Sequence, residues 1–360
     1  MKTLMTFAVL ITLIGADARA HSFSDSFLSI DNASAVLRSE WHLSLQDLEI
    51  AVGLDMNQDG RVTWSEIRKR RDDVEAYALG RLSYGPEETP CRHLPQALLV
   101  DVRRDVPYAV LRFDSVCAGR KASESFNVRY GAMFDIDPQH RGFITLAGSD
   151  AAPLIVRPDA PTIELGRVGT TLATALTYIR EGIWHIWSGS DHLLFLLTLL
   201  LGVVCASRHR RAGKDTILIV TAFTVAHSIT LVLGSLHVVS VSSFWIEVVI
   251  AASIAVAAVT NLMPRLEPYR ALLAFGFGLI HGFGFAGVLE ELSLTGEAFA
   301  TALVSFNVGV EIGQLAVVAV FLIISRVWQN LGMDPNRLKQ VGSVAIAATG
   351  IAWAAFRAVG

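Results

Sequence analysis

Six ionisable side chains stand inside stretches apolar enough to cross a bilayer: Asp191, His192, His227, Glu247, His281 and Glu311. His185 precedes His192 by seven positions in Trp184-His185-Ile-Trp-Ser-Gly-Ser-Asp191-His192. At the centre of a spanning helix such a group costs about 2.5 to 3.5 kcal/mol on insertion scales, so a chain that keeps several has a use for them. Imidazoles with carboxylates and no sulfur suit Ni²⁺, Zn²⁺, Co²⁺ or Cu²⁺. Seven residues of straight helix separate His185 from His192 by ~10 Å, too far for one ion. Either Ser188-Gly189-Ser190 breaks the helix, or the two histidines serve successive positions on a path. Ser228, Asn307 and Gln314 lie close by in sequence, as support for the cluster or as hydrogen-bonding glue between helices.

A different cation chemistry is written into residues 55–66. Asp55-Met-Asn57-Gln-Asp59-Gly60-Arg61-Val-Thr63-Trp-Ser-Glu66 matches the EF-hand loop. Asp55, Asn57 and Asp59 offer side-chain oxygens, Arg61 its carbonyl, Thr63 the water-bridged position and Glu66 a bidentate carboxylate, with Gly60 at the sharp turn. Helices are predicted on both sides. One covers Leu45–Val52 with Ser44 as N-cap and Gly53 past its end, and the other covers Trp64–Leu82. A single loop of this kind outside the cell reads as a weak structural Ca²⁺ site.

The elements around these residues fall into three parts: a signal peptide at 1–20, an exported β-rich domain at 21–165 and a membrane module at 166–360. Lys2, the apolar run Leu4–Ile14 and Ala18-Arg19-Ala20 carry the first. Cleavage after Ala20 would expose His21, a terminal chelator or an incidental residue. In the second part, Ala97–Arg103, Tyr108–Phe113, Ser125–Tyr130 and Gly142–Leu146 alternate as strands. Cys91 and Cys117 can pair there in an oxidising compartment. Asp135, Asp137 and His140 read equally as a second metal site or as a polar turn.

The whole chain is 52% hydrophobic and 18% charged over 360 residues, with mean hydropathy +0.47. That excludes a disordered chain and points to membrane spans. A net charge of −3 offers no field for nucleic acid. Six spans are predicted, at about 183–205, 216–238, 243–263, 270–289, 298–325 and 339–358. Arg208, Arg210, Arg211, Lys214, Arg265, Arg270, Arg326, Arg337 and Lys339 gather in the first, third and fifth connections, which therefore face the cytoplasm. This puts the N-terminal domain in the periplasm of a bacterial inner-membrane protein. The fold class is thus a polytopic α-helical membrane protein with an extracytoplasmic α+β domain. The glycines Gly276, Gly278, Gly282 and Gly284 serve close helix packing rather than a dinucleotide.

His185-x5-Asp191-His192 resembles the H-x5-D-H signature of the HupE/UreJ family, and the similarity runs over about 170–360. The family's second signature, F-H-G-x-[A/V]-H-G-x-E, corresponds to Gly276-Phe277-Gly278-Leu-Ile-His281-Gly282-Phe-Gly284. Phe277 stands at a histidine position and Gly284 at the glutamate position, so Glu247 or Glu311 would have to substitute. The resemblance implies a hydrogenase- or urease-accessory membrane protein regarded as a nickel permease. His185, Asp191, His192, His227, Glu247, His281 and Glu311 would be its metal residues. The rival class is an intramembrane hydrolase holding Zn²⁺, with Glu247 or Glu311 as general base. A sensor or assembly partner is a third reading. The implied partners are the ion, the bilayer and hydrogenase or urease accessory proteins, or a second copy of the chain.

Overall fold

The computed structural model describes residues 24–103, 106–149, 151–166, 170–206, 212–236, 238–239, 241–291, 296–332 and 334–359. The signal peptide, His21 and the basic residues Arg208, Arg210 and Arg211 lie outside the described residues. The chain divides into an N-terminal unit to Thr170 and a helical unit from Thr171.

The N-terminal unit is built on two sheets. The larger takes the order β4-β5-β2-β1-β7-β8, from β1 (Asp25–Asp31), β2 (Val36–Ser44), β4 (Arg92–Arg103), β5 (Val106–Val116), β7 (Arg141–Leu146) and β8 (Leu154–Val156). The smaller takes the order β3-β6-β9, from β3 (Leu82–Tyr84), β6 (Phe126–Tyr130) and β9 (Thr162–Leu165). β6 shows the expected alternation: Phe126, Val128 and Tyr130 are buried while Asn127 and Arg129 face out. Pro95 interrupts the ladder of β4, an edge strand, where its missing N–H costs least. Trp41, Tyr84, Tyr130, Phe113, Leu28 and Ile30 fill the core.

Between β2 and β3 come α1 (Leu45–Val52), α2 (Trp64–Lys69) and α3 (Arg71–Leu79). Ser44 caps α1 through Asp47 N–H, and Gly53 ends it at φ +67°. The single helix expected over Trp64–Leu82 is instead two. Arg70 leaves helical backbone at φ −97°, ψ 15°, and its guanidinium donates to the Val52 carbonyl, which folds α2 and α3 around the end of α1. Leu82 already belongs to β3.

A disulfide joins Cys91 and Cys117 at the open end of the β4–β5 hairpin. The residues Asp135, Asp137 and His140 do not converge on a metal. Asp135 accepts from Arg81 and Tyr77, and Asp137 accepts from Gln139 N–H. His140 is fully buried between Ser24 Oγ (2.5 Å) and Tyr130 Oη (2.7 Å). Burial, with Arg141 beside it, pushes its pKa down to about 3, so it is a neutral core residue.

The helical unit contains α4 (Thr171–Ser188), α5 (Ser190–Ala206), α6 (Ala212–Ser235), α7 (Ser243–Thr260), α8 (Arg270–Glu291), α9 (Gly296–Asn330) and α10 (Pro335–Val359). Among the described residues three helices are long and apolar enough to cross a membrane: Lys214–Ser235, Gly296–Asn330 and Pro335–Val359. A fourth span results if α4 and α5 count as one. The span expected over 183–205 is a bent one, broken at Gly189 where the two helices meet at 73°.

Two glycine contacts set the spacing. On α8, a Cβ at Gly278 would stand 2.5 Å from the Phe223 carbonyl, and one at Gly282 would collide with the His227 carbonyl. Only hydrogen fits there, so α8 lies directly on the backbone of α6. Gly182 of α4 and Gly309 of α9 meet in the same way. Nothing lies within 4 Å of a Cβ at Gly276, so that glycine has no such role.

Candidate metal centre

Gly189 is where the site is made. Its N–H donates to the His185 carbonyl (3.1 Å) and its own carbonyl accepts from Leu193 N–H (3.0 Å), so the hydrogen-bond ladder passes through the break. The chain turns there, and a Cβ at this position would press on His192 Nδ1 at 2.7 Å and the His185 carbonyl at 2.8 Å. The bend brings the two imidazoles to 4.5 Å between ring centroids, less than half the straight-helix separation. Of the two readings the spacing left open, the broken helix is the one that folds.

His227 of α6 adds a third ring, 6.2 Å from each of the others. Donor nitrogens of His185, His192 and His227 all lie within 4.8 Å of one another. Tetrahedral coordination at ~2.1 Å per nitrogen needs donors roughly 3.4 Å apart. The rings are therefore close enough to shut on an ion by side-chain rotation. His185 and His227 are buried, His192 half-buried, and among the described residues neither nitrogen of His227 nor Nε2 of His192 has a hydrogen-bond partner. A buried imidazole without a partner carries an unmet desolvation cost, which a bound cation would remove.

The remaining predicted ligands stand elsewhere. His281 of α8 packs 5.5 Å from His192, but its Nε2 is bonded to Ser253 Oγ at 3.0 Å. It lies outside the three-histidine group. Both oxygens of Asp191 are taken by Arg357 of α10, at 2.8 and 3.1 Å. Glu247 is half-buried at the start of α7, where its carbonyl accepts from the same guanidinium at 3.1 Å. Glu311 accepts from Thr221 on the exposed flank of α6 and α9.

The supporting polar residues tie α6 to α9. Ser228 Oγ and Asn307 Oδ1 lie 2.6 Å apart, and Thr224 Oγ1 donates to Gln314 Oε1 at 2.7 Å. That is the glue reading. Beside His192 a narrow void of about 10 Å³ is lined by Phe195, Leu196, Leu199, Val220, Phe223 and Gln314, among others. Sequence reasoning passed over Arg357 and Glu181. Arg357 was legible as a cation near the end of an apolar span. Glu181 was legible as an acid one turn before His185, on the same buried face of α4.

The 55–66 loop turns its oxygens onto its own backbone. Asp55 accepts from Asp59 and Gly60 N–H, Asn57 Oδ1 from Asp59 N–H, and Asp59 Oδ1 from Arg61 N–H. Glu66 accepts from Met56 N–H at 3.1 Å and from Thr63 N–H and Oγ1 at 2.9 and 2.6 Å. Those bonds from Thr63 hold its carboxyl below the usual range, so it is ionised at neutral pH. Gly60 sits at φ +79°, the turn that position requires.

The family model described as HupE / UreJ protein matches residues 164–357, a stretch containing every helix of the centre. No curated protein matches the chain.

Proposed function

Since the chain belongs to the HupE/UreJ family of membrane proteins, with its metal-transport-related role, we propose that it is a permease for a divalent transition metal, nickel first. The observation that carries this reading is the convergence of His185, His192 and His227 across a broken helix inside the membrane module. Neutral imidazoles select borderline metals such as Ni²⁺ and Zn²⁺ over Mg²⁺ or Ca²⁺. The module would cross the bilayer six times, α7 and α8 adding to the spans that length alone supports. Its basic connections would lie in the cytoplasm and the N-terminal unit in the periplasm. Glu267, paired with Arg270 (3.2 Å) and Lys339 (3.4 Å), would close the cytoplasmic side.

A zinc hydrolase would use the same imidazoles, but neither of the two general bases expected for it from the sequence stands with them. Glu247 lies on the Arg357 side and Glu311 on Thr221. Proteoliposomes loaded with a metal-sensing dye test the permease. Saturable Ni²⁺ entry above that of protein-free vesicles is expected, and entry equal to theirs would refute it.

The 55–66 loop is proposed as a structural Ca²⁺ site of the periplasmic unit. Saturating CaCl₂ is expected to raise the Tm of that unit by the equivalent of about 2.7 kcal/mol at a hundredfold excess over Kd. EGTA reverses the shift and Glu66→Gln abolishes it. A Tm indifferent to Ca²⁺ in the native protein rules the site out.

A further inference from the structure

The three imidazoles bring nitrogen to the site but no negative charge. A divalent ion held away from water needs anions near it, because Coulomb terms that water screens are many-fold larger in a low-dielectric interior. One acid placed to supply charge is Asp191, the neighbour of His192 in the first turn of α5. Yet its two oxygens are engaged by the two terminal nitrogens of Arg357. That pair is mostly buried, with side chains 12% and 18% exposed. Arg357 is itself held by the Glu247 carbonyl and lies 5.7 Å over the Trp353 ring. The last helix therefore delivers a fixed monovalent cation to the carboxylate beside the site, and three helices, α5, α7 and α10, meet on it.

We propose that Arg357 is a built-in counter-cation that competes with the transported ion for the charge of Asp191. This rests on the permease reading of the same centre. The guanidinium and the divalent ion act on one carboxylate, so each weakens the hold of the other, and the coupling is reciprocal. The purpose is release. An ion caught by three imidazoles and an unopposed carboxylate in a dry pocket would bind too tightly to leave, and conduction requires a site shallow enough to empty. Arg357 keeps it shallow. It is a positioning and charge-balancing residue that never touches the ion.

The experiment titrates the full-length protein in detergent with Co²⁺, reading the visible d–d bands of the tetrahedral complex, and measures release to a chelator. Arg357→Gln is expected to bind Co²⁺ about tenfold tighter and release it correspondingly slower. Arg357→Met keeps the length of the stem and gives the same gain if the glutamine variant does not fold. Asp191→Asn weakens binding, and adding Arg357→Gln to it yields no gain, because Arg357 acts through Asp191. Arg357→Lys keeps the charge and stays near the native affinity. A purely structural Arg357 would give weaker binding in every variant. Native binding that is unchanged or weakened in both Arg357→Gln and Arg357→Met overturns this proposal alone. Absence of Co²⁺ binding to the native protein overturns the permease reading and this proposal with it.

Discussion

Replacing His227 with alanine is expected to lower transition-metal affinity on the order of 100-fold and to reduce Ni²⁺ entry into proteoliposomes to background. The loss is large because the site is small. His185 and His192 come from one continuous segment, and His227 is the nitrogen that α6 contributes from across the bundle. Without it two imidazoles face an ion with no third donor within 4.8 Å among the described residues. Folding should survive, since among the described residues His227 makes no side-chain hydrogen bond that the substitution would break. His281→Ala is the informative companion. Its Nε2 is already bonded to Ser253, so a few-fold effect is expected where His227→Ala gives near-complete loss. Equal losses for the two variants would place His281 inside the coordination shell and contradict the three-histidine arrangement.

The second large effect is expected from a single methyl group. Gly189→Ala places a Cβ 2.7 Å from His192 Nδ1 and 2.8 Å from the His185 carbonyl, closer than carbon tolerates. The strain is relieved by swinging His192 outward or by straightening the break, and either movement separates the two rings. Metal affinity is expected to fall on the order of tenfold to 100-fold, the range of other changes that misplace ligands. The Tm should drop by little, because neither the α4–α9 nor the α6–α8 glycine contact is touched. Gly276→Ala, with open space around it, is the matched control and should bind like the native protein. Unchanged affinity in Gly189→Ala would show that the bend is incidental to the site.

Much of this was legible along the chain, and the illegible parts have physical causes. Ser44 and Gly53 marked α1 correctly because caps are local chemistry, and β6 showed itself through strict alternation on a half-buried sheet. β1 went unread for the opposite reason. Side chains on both of its faces are buried, so Asp25, Ser26 and Phe27 carry no period-two signal. Arg141, 116 residues away, pairs with Asp25 at 2.8 Å, and no short-range pattern can announce that. The same limit applied in the membrane module. Seven-residue spacing raised the question of a broken helix, but only the tertiary contact between rings answers it. Asp191 looked like a ligand because its partner, Arg357, is 166 residues downstream. Hydropathy placed one span at 183–205 without its angle, because it measures composition and is blind to a bend.

The void beside His192 bears on the proposed permease function. At about 10 Å³ it admits the centre of one water molecule, bounded by Phe195, Leu196, Leu199, Val220 and Phe223. A divalent ion in bulk solvent travels inside a full jacket of waters, far too wide for that void. Under the permease function proposed above, the jacket would come off at the imidazoles, one water exchanged for one nitrogen. Metals that shed water slowly should then cross slowly, whatever their affinity for histidine, and turnover should follow ligand-exchange rate across a series of divalent ions.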